Sequence, residues 1–263
     1  MKLCEIFEIL QGVAPVALSD EFCKKFKMYD NSGIIIDCGE DINGVLFTLD
    51  LTVEAVERAK KSGYNLIVTH HPAIYGGISR FDTVNNPQAS ALSRCMKYEI
   101  SVISMHLNFD AAPEGIDYWL MRGLGGFEEN CKIAAQIDNG GYGRVYDIKP
   151  QTLESFVQQV SKAFNTSKII VYGDKNNQVS KVASFCGAGC DDYNMSFAAD
   201  NGADVFVSAD MKHHEILALT QRGIAVIVLT HYASENYGLN KIYQKIKDDI
   251  KVKSEYLTFE NLL

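Results

Sequence analysis

Two of the chain's six histidines stand side by side in "LIVTHHPAIYGG", residues 66–77. Imidazole binds metals and moves protons near neutral pH, so the pair invites a chemical reading. Along a strand, neighbouring side chains face opposite ways, which would separate His70 from His71. Pro72 follows at once, and the residue before a proline is extended or turn-like. At such a corner both rings can enter one pocket, especially one holding two metal ions. The alternative is that one ring caps the strand end and the other is solvated. "SMHLNFDAAPEG" adds His106 and Asp110. A carboxylate beside imidazole suits zinc, iron or manganese; the alternative is that Asp110 caps a helix beginning near Pro113. "THYASEN" adds His231 and Glu235, which share one helix face if a helix starts at His231 or Tyr232. "SADMKHHEI" supplies Asp210, His213 and His214 as second partners of ligands, proton shuttles or a helix start. Gly187 and Gly189 in "CGAGC" fit a tight turn and leave a phosphate cradle open. Asp192 stands where a dinucleotide fingerprint would need a third glycine.

The elements that must position these residues alternate. Apolar, β-branched runs occur at 33–37, 45–50, 66–70, 100–106, 168–173, 181–187, 204–210 and 224–231. Helical patterns lie between many of them. "TVEAVERAKKSG" has Thr52 to cap its start and Gly63 to end it, and "PQASALSRCMKYE" places Pro87 in a first turn. "QTLESFVQQVSKAF" and "ASENYGLNKIYQKIKDD" repeat apolar residues every three or four positions. This alternation predicts an α/β fold with a largely parallel, helix-covered sheet. "LIVTHHP" and "IVLTHYA" echo each other, each delivering a histidine at the C-terminal end of a strand, where ligands bind in open α/β sheets. The glycine-containing stretch at 123–132 is the candidate boundary between a first half, 1–126, and a second, 127–263. "DNGGYGR", 138–144, reads as a turn or hairpin loop.

Composition narrows the function classes. The chain has 263 residues, 47% hydrophobic and 22% charged, as expected of a soluble globular protein. Its formal net charge of -8 argues against nucleic acid or an anionic membrane as partner. Glu5 and Glu8 interrupt what would be the apolar part of a signal peptide, and no stretch is long enough to span a bilayer. Seven cysteines without a CxxC pair suit reduced thiols in a cytoplasm.

Taken in order, "DNSG" (30–33), "LIVTHHP", "MHLNFDAAPEG", "GRV" (143–145), "CGAG", "GADVFVSAD" and "THYASE" resemble one family, over nearly the whole chain. It is the NGG-one-interacting factor three-like family, also known as GTP cyclohydrolase I type 2 homologues. The resemblance implies two interlinked α/β halves of similar topology, three-layered with mixed sheets. It also implies a dinuclear metal centre between the halves, with His70, His71, Asp110, His231 and Glu235 as ligands. A toroidal homohexamer, and no inserted extra domain, are implied as well. Departures lie at Leu229 and Thr230, where glycines are usual, at Ser208 to Asp210, at Cys190 and at His213. They leave the ligands intact and alter the pocket walls.

Three neutral imidazoles and two carboxylates around two divalent ions leave about two positive charges. That supplies the local attraction for an anionic substrate which the acidic surface lacks. Such ions activate water near neutral pH and steady both reacting atoms of a displacement. The expected activity is therefore metal-dependent hydrolysis of a nucleotide-like or phosphorylated small molecule, similar to opening of the GTP imidazole ring, with His106 or His214 as proton shuttle. The alternative is a metal-holding, metal-delivering or regulatory scaffold without turnover.

Overall fold

In the computed structural model, which describes residues 1–39 and 41–263, the chain opens on two amphipathic helices, α1 (Leu3–Val13) and α2 (Val16–Phe26). Leu3, Ile6 and Leu10 line the buried stripe of α1 while Glu5 and Glu8 stay outside. Next come β1 (Gly33–Ile36), β2 (Gly44–Thr48), α3 (Val53–Ser62), β3 (Leu66–Thr69), α4 (Pro87–Lys97), β4 (Ser101–Ser104) and the short α5 (Leu107–Ala111). Thr52 caps α3 by accepting the Ala55 N–H at 3.0 Å, and Gly63 ends it at φ 73°. Asn86 caps α4 ahead of Pro87.

The second series is α6 (Ile116–Gly123), β5 (Lys132–Ile137), β6 (Gly140–Thr152), α7 (Leu153–Phe164), β7 (Ile170–Tyr172), β8 (Gln178–Ser184), α8 (Asp192–Asp200), β9 (Val205–Ser208), α9 (His213–Gln221) and β10 (Ala225–Val228). The chain then enters α10 (His231–Ile246) and closes with β11 (Lys253–Tyr256) and a single turn, Glu260–Leu262. Among the described residues no helix is long and apolar enough to cross a membrane.

Two compact units result, Met1–Ala112 with Leu239–Thr258 and Pro113–Gly238 with Phe259–Leu263. This discontinuous division differs from a single change at 126/127. The glycines around 126 are packing positions inside the second unit: a Cβ on Gly126 would lie 2.3 Å from the Tyr146 ring. The first unit recruits β11 and the C-terminal half of α10 from far along the chain.

Each unit holds one mixed sheet. In the first unit the order is β1-β4-β3-β2-β11, with β4, β3, β2 and β11 parallel and β1 antiparallel at the edge. Every residue of β2, β3 and β4 is buried, as expected of parallel strands covered on both faces. In the second unit the order is β5-β6-β8-β9-β10-β7, with β8, β9 and β10 parallel and the rest antiparallel. Phe185 and Phe206 stack 4.9 Å apart at the centre of its core, among Met195, Leu219 and Val226. Of the stretch 138–144, only the first two residues form the hairpin turn, and Gly140 onward belongs to β6.

Register decides what comes next. Thr48 pairs with Thr69 and Thr69 with Ser104, so the parallel strands β2, β3 and β4 end level with one another. In the second unit Ser184 pairs with Val207 and Ser208 with Val228. The residues just beyond these ends are therefore neighbours.

Candidate metal centre

In the first unit, Asp50 follows β2, His70 and His71 follow β3, and His106 follows β4. The backbone N–H groups of His70 and His71 both donate to Leu49 O, at 3.1 and 3.0 Å. Two successive amides sharing one acceptor mean that the chain has turned, so strand alternation no longer separates the rings. Their centroids lie 5.0 Å apart, and the His106 ring is 5.2 Å from His70 and 5.8 Å from His71. One ligand atom from each of the three lies within 4.8 Å of the others. Asp110 sits in α5, one turn after His106, and its Oδ1 is 3.5 Å from His70 Nε2. It is buried within that helix and does not cap the following one, whose first turn begins after Gly115.

Each imidazole is held from behind. His70 Nδ1 is 2.9 Å from Met105 O, His71 Nδ1 is 2.7 Å from Asp50 Oδ1, and His106 Nδ1 is 2.7 Å from Asp30 Oδ1. A carbonyl or a carboxylate can only accept, so Nδ1 is the donor in every case. Asp30 is itself fixed by hydroxyl donors, Ser19 at 2.5 Å and Ser32 at 2.6 Å. Burial opposes ionisation of Asp30. The hydrogen bonds from His106, Ser19 and Ser32, with the His106 charge, outweigh it and hold the carboxyl well below the usual range. Burial likewise disfavours charged His106, yet the hydrogen bond to Asp30 and the charges of Asp110 and Asp30 raise its pKa.

The second unit repeats the device. Thr230 Oγ1 accepts the Ala233 N–H at 3.0 Å, starting α10 at His231. Glu235 lies one turn later, its Oε1 3.1 Å from His231 Nε2, and Asp210 Oδ2 accepts from His231 Nδ1 at 2.5 Å. Asp210 stands just past β9 at φ 49°, two residues ahead of Lys212, which caps α9. It orients a histidine and starts no helix. Gly187 has φ 57°, and a Cβ there would lie 2.2 Å from Glu235 Oε1, so glycine alone admits the carboxylate. The N–H of Cys186 goes to Asp117 and that of Gly187 to Ser234, at 3.3 and 3.0 Å. A phosphate cradle loses two of its donors. His213 and His214 are exposed in the first turn of α9.

The model of the Duf34/NIF3 (NGG1p interacting factor 3) family matches residues 1–261. The chain belongs to the Duf34/NIF3 family. Its sequence is 27% identical to a GTP cyclohydrolase 1 type 2 homolog of Clostridium perfringens, over 98% of this chain and 95% of that protein. Identity to NGG1-interacting factor 3 of Saccharomyces cerevisiae is 30%, over 85% and 84%. The fold is similar to that of a solved Staphylococcus aureus hypothetical protein, with a TM-score of 0.83 at 25% identity over 99% and 97% of the two chains.

For this Duf34/NIF3 chain, the residues expected as ligands gather as His70, His71 and Asp110 in one unit and as His231 with Glu235 in the other. Imidazole and carboxylate oxygen are donors that divalent zinc, iron or manganese accept. The Nδ1 hydrogen bonds are those that metal-ligating histidines make, fixing tautomer and ring direction. The donor set fits such ions. Sequence reasoning gave no part to Asp50 or Asp30. Asp50 carried a usable signal, since it closes the apolar run 45–50 as His70 and His106 close theirs. Asp30 lay inside "DNSG" without a role, and Ser19 carried no signal at all.

Proposed function

We propose that this Duf34/NIF3 protein is a metal-dependent hydrolase of a nucleotide-like or phosphorylated small molecule. In this reading His70, His71 and Asp110 in one unit, and His231 with Glu235 in the other, would be the ligands of two divalent ions. The observation that carries the reading is the shared anchoring of His70, His71, His106 and His231. Each has Nδ1 bonded to a carbonyl or a carboxylate, which fixes the ring direction and turns Nε2 to the opposite side, where an ion or a proton would meet it. Divalent ions would supply Lewis acidity and water activation near neutral pH. Asp50 and Asp210 orient His71 and His231, and Gly187 makes room for Glu235. Of the two histidines expected to move a proton, His106 is the one set within the imidazole cluster, and it is the group we assign that task. The name carried by the Clostridium perfringens relative supports a nucleotide as the first substrate to try.

Elemental analysis of the purified protein, with assays against nucleotides and phosphoesters, tests the proposal. The expected result is two bound ions per chain and turnover that a His70→Ala, Glu235→Ala double variant abolishes. Ions without turnover above that variant would instead indicate a metal-holding protein. A toroidal homohexamer belongs to the same proposal, and a monomer in light scattering would overturn that part.

A further inference from the structure

The loop between α2 and β1 reaches His106 through a closed set of hydrogen bonds that the proposed hydrolysis does not itself require. The His106 N–H donates to Ser32 Oγ at 2.9 Å, and Ser32 Oγ donates to Asp30 Oδ2 at 2.6 Å. Asp30 Oδ1 then accepts from His106 Nδ1 at 2.7 Å, completing a ring that grips both the main chain and the side chain of one residue. Ser19, from α2, donates a second hydroxyl to Asp30 Oδ2 at 2.5 Å. The carboxylate side chain is 2% exposed, so water does not compete for these positions. Two hydroxyl donors occupy Oδ2, and Oδ1 is left to face the ring.

We propose that Asp30 is a positioning residue that keeps neutral His106 in the Nδ1–H tautomer, so that Nε2 carries the lone pair within the His70–His71–Asp110 cluster. The opposite tautomer would set the Nδ1 lone pair against a buried carboxylate oxygen and remove the acceptor that proton transfer needs. The proposal gains its catalytic meaning from the assignment of His106 as proton carrier, but the tautomer itself is independent of any activity. The arrangement makes a further specific statement. In Asp30→Asn the Ser19 and Ser32 hydroxyls require an acceptor, which places the amide oxygen on their side and the NH2 group toward His106. Nδ1 must then accept, and the ring proton moves to Nε2.

The test is a long-range 1H–15N correlation spectrum of metal-free protein labelled with 15N-histidine. It is recorded at a pH where the ring shifts have stopped changing, with His106 assigned by a His106→Gln variant. The wild type is expected to show Nδ1 protonated, and Asp30→Asn to exchange the two nitrogen shifts. A wild-type ring protonated at Nε2, or an Asp30→Asn ring still protonated at Nδ1, would overturn the proposal. If Asp30→Asn does not fold, Ser19→Ala serves as the second variant. It keeps the carboxylate and must leave the proton on Nδ1; a proton found on Nε2 there refutes the assignment. Because neither metal nor substrate is present, failure here leaves the hydrolase reading standing, and absence of turnover leaves this one standing.

Discussion

Asp50 and Asp210 touch the expected ligands only through ring nitrogens, yet they decide which way His71 and His231 point. Replacing a carboxylate behind a metal-bound histidine typically weakens metal binding by about 10- to 100-fold. Asp50→Asn should therefore lower zinc affinity by about that factor in calorimetric titration while leaving the fold intact by circular dichroism. Unchanged affinity would show that His71 does not bind the ion. The Asp30–His106 pair makes a second expectation, for the metal-free protein. The folded-state pKa of Asp30 is depressed, so its stabilising contribution is present above about pH 4 and fades as pH falls through the folded value. That of His106 is raised, so its contribution is complete below about pH 6.5 and fades as pH rises through the folded value. The stability gap between wild type and Asp30→Asn should thus be widest between those limits and narrow on either side. Urea midpoints across pH measure it, and a flat gap would contradict the pairing.

Strand ends explain why so much of the site was legible. An apolar run followed by His, Asp or His-His marks the C-terminal end of a parallel strand, and level register does the rest. His70, His71, His106 and His231 were readable for that reason. Asp30 was not, because it lies in a loop with no periodic pattern and its partner is 76 residues away. The edge strand β11 was equally silent. "KSEY" has no apolar alternation, and only its parallel pairing with β2 makes it a strand. Glu255 in β11 also accepts from Arg58 Nε at 2.8 Å, and the Leu257 N–H donates to Phe47 O at 2.8 Å. Ending the chain at residue 251 should leave fully buried β2 as an open edge, a template for wrong pairing. Faster amide exchange at Val45 to Thr48 and lower solubility are the expected outcomes. Native protection of those amides in the shortened chain would mean that β11 is dispensable.

For the whole molecule, the fold class could be read from strand–helix alternation, whereas the division of the chain could not. A boundary at 126 follows from glycines that look like a linker, but a Cβ on Gly126 would meet Tyr146 and Met121, and one on Gly123 would meet Phe164 and Tyr237. If ions bind the folded chain and not the unfolded one, they stabilise it by about 2.7 kcal/mol at a free concentration one hundred times Kd. Chelation should lower the unfolding midpoint in urea by the corresponding amount, and returning zinc should restore it. No change on chelation would argue that the clusters hold no ion in solution.

The strand order of the first unit bears on how the protein is made. Synthesis runs from the N-terminus, and β2, β3 and β4 leave the ribosome long before β11, which must lie beside β2. Throughout the translation of residues 113–238 of the second unit, the nascent first sheet waits with one apolar flank unsatisfied. A chaperone that shields such a flank would therefore engage this chain early and release it only after residue 256 has emerged.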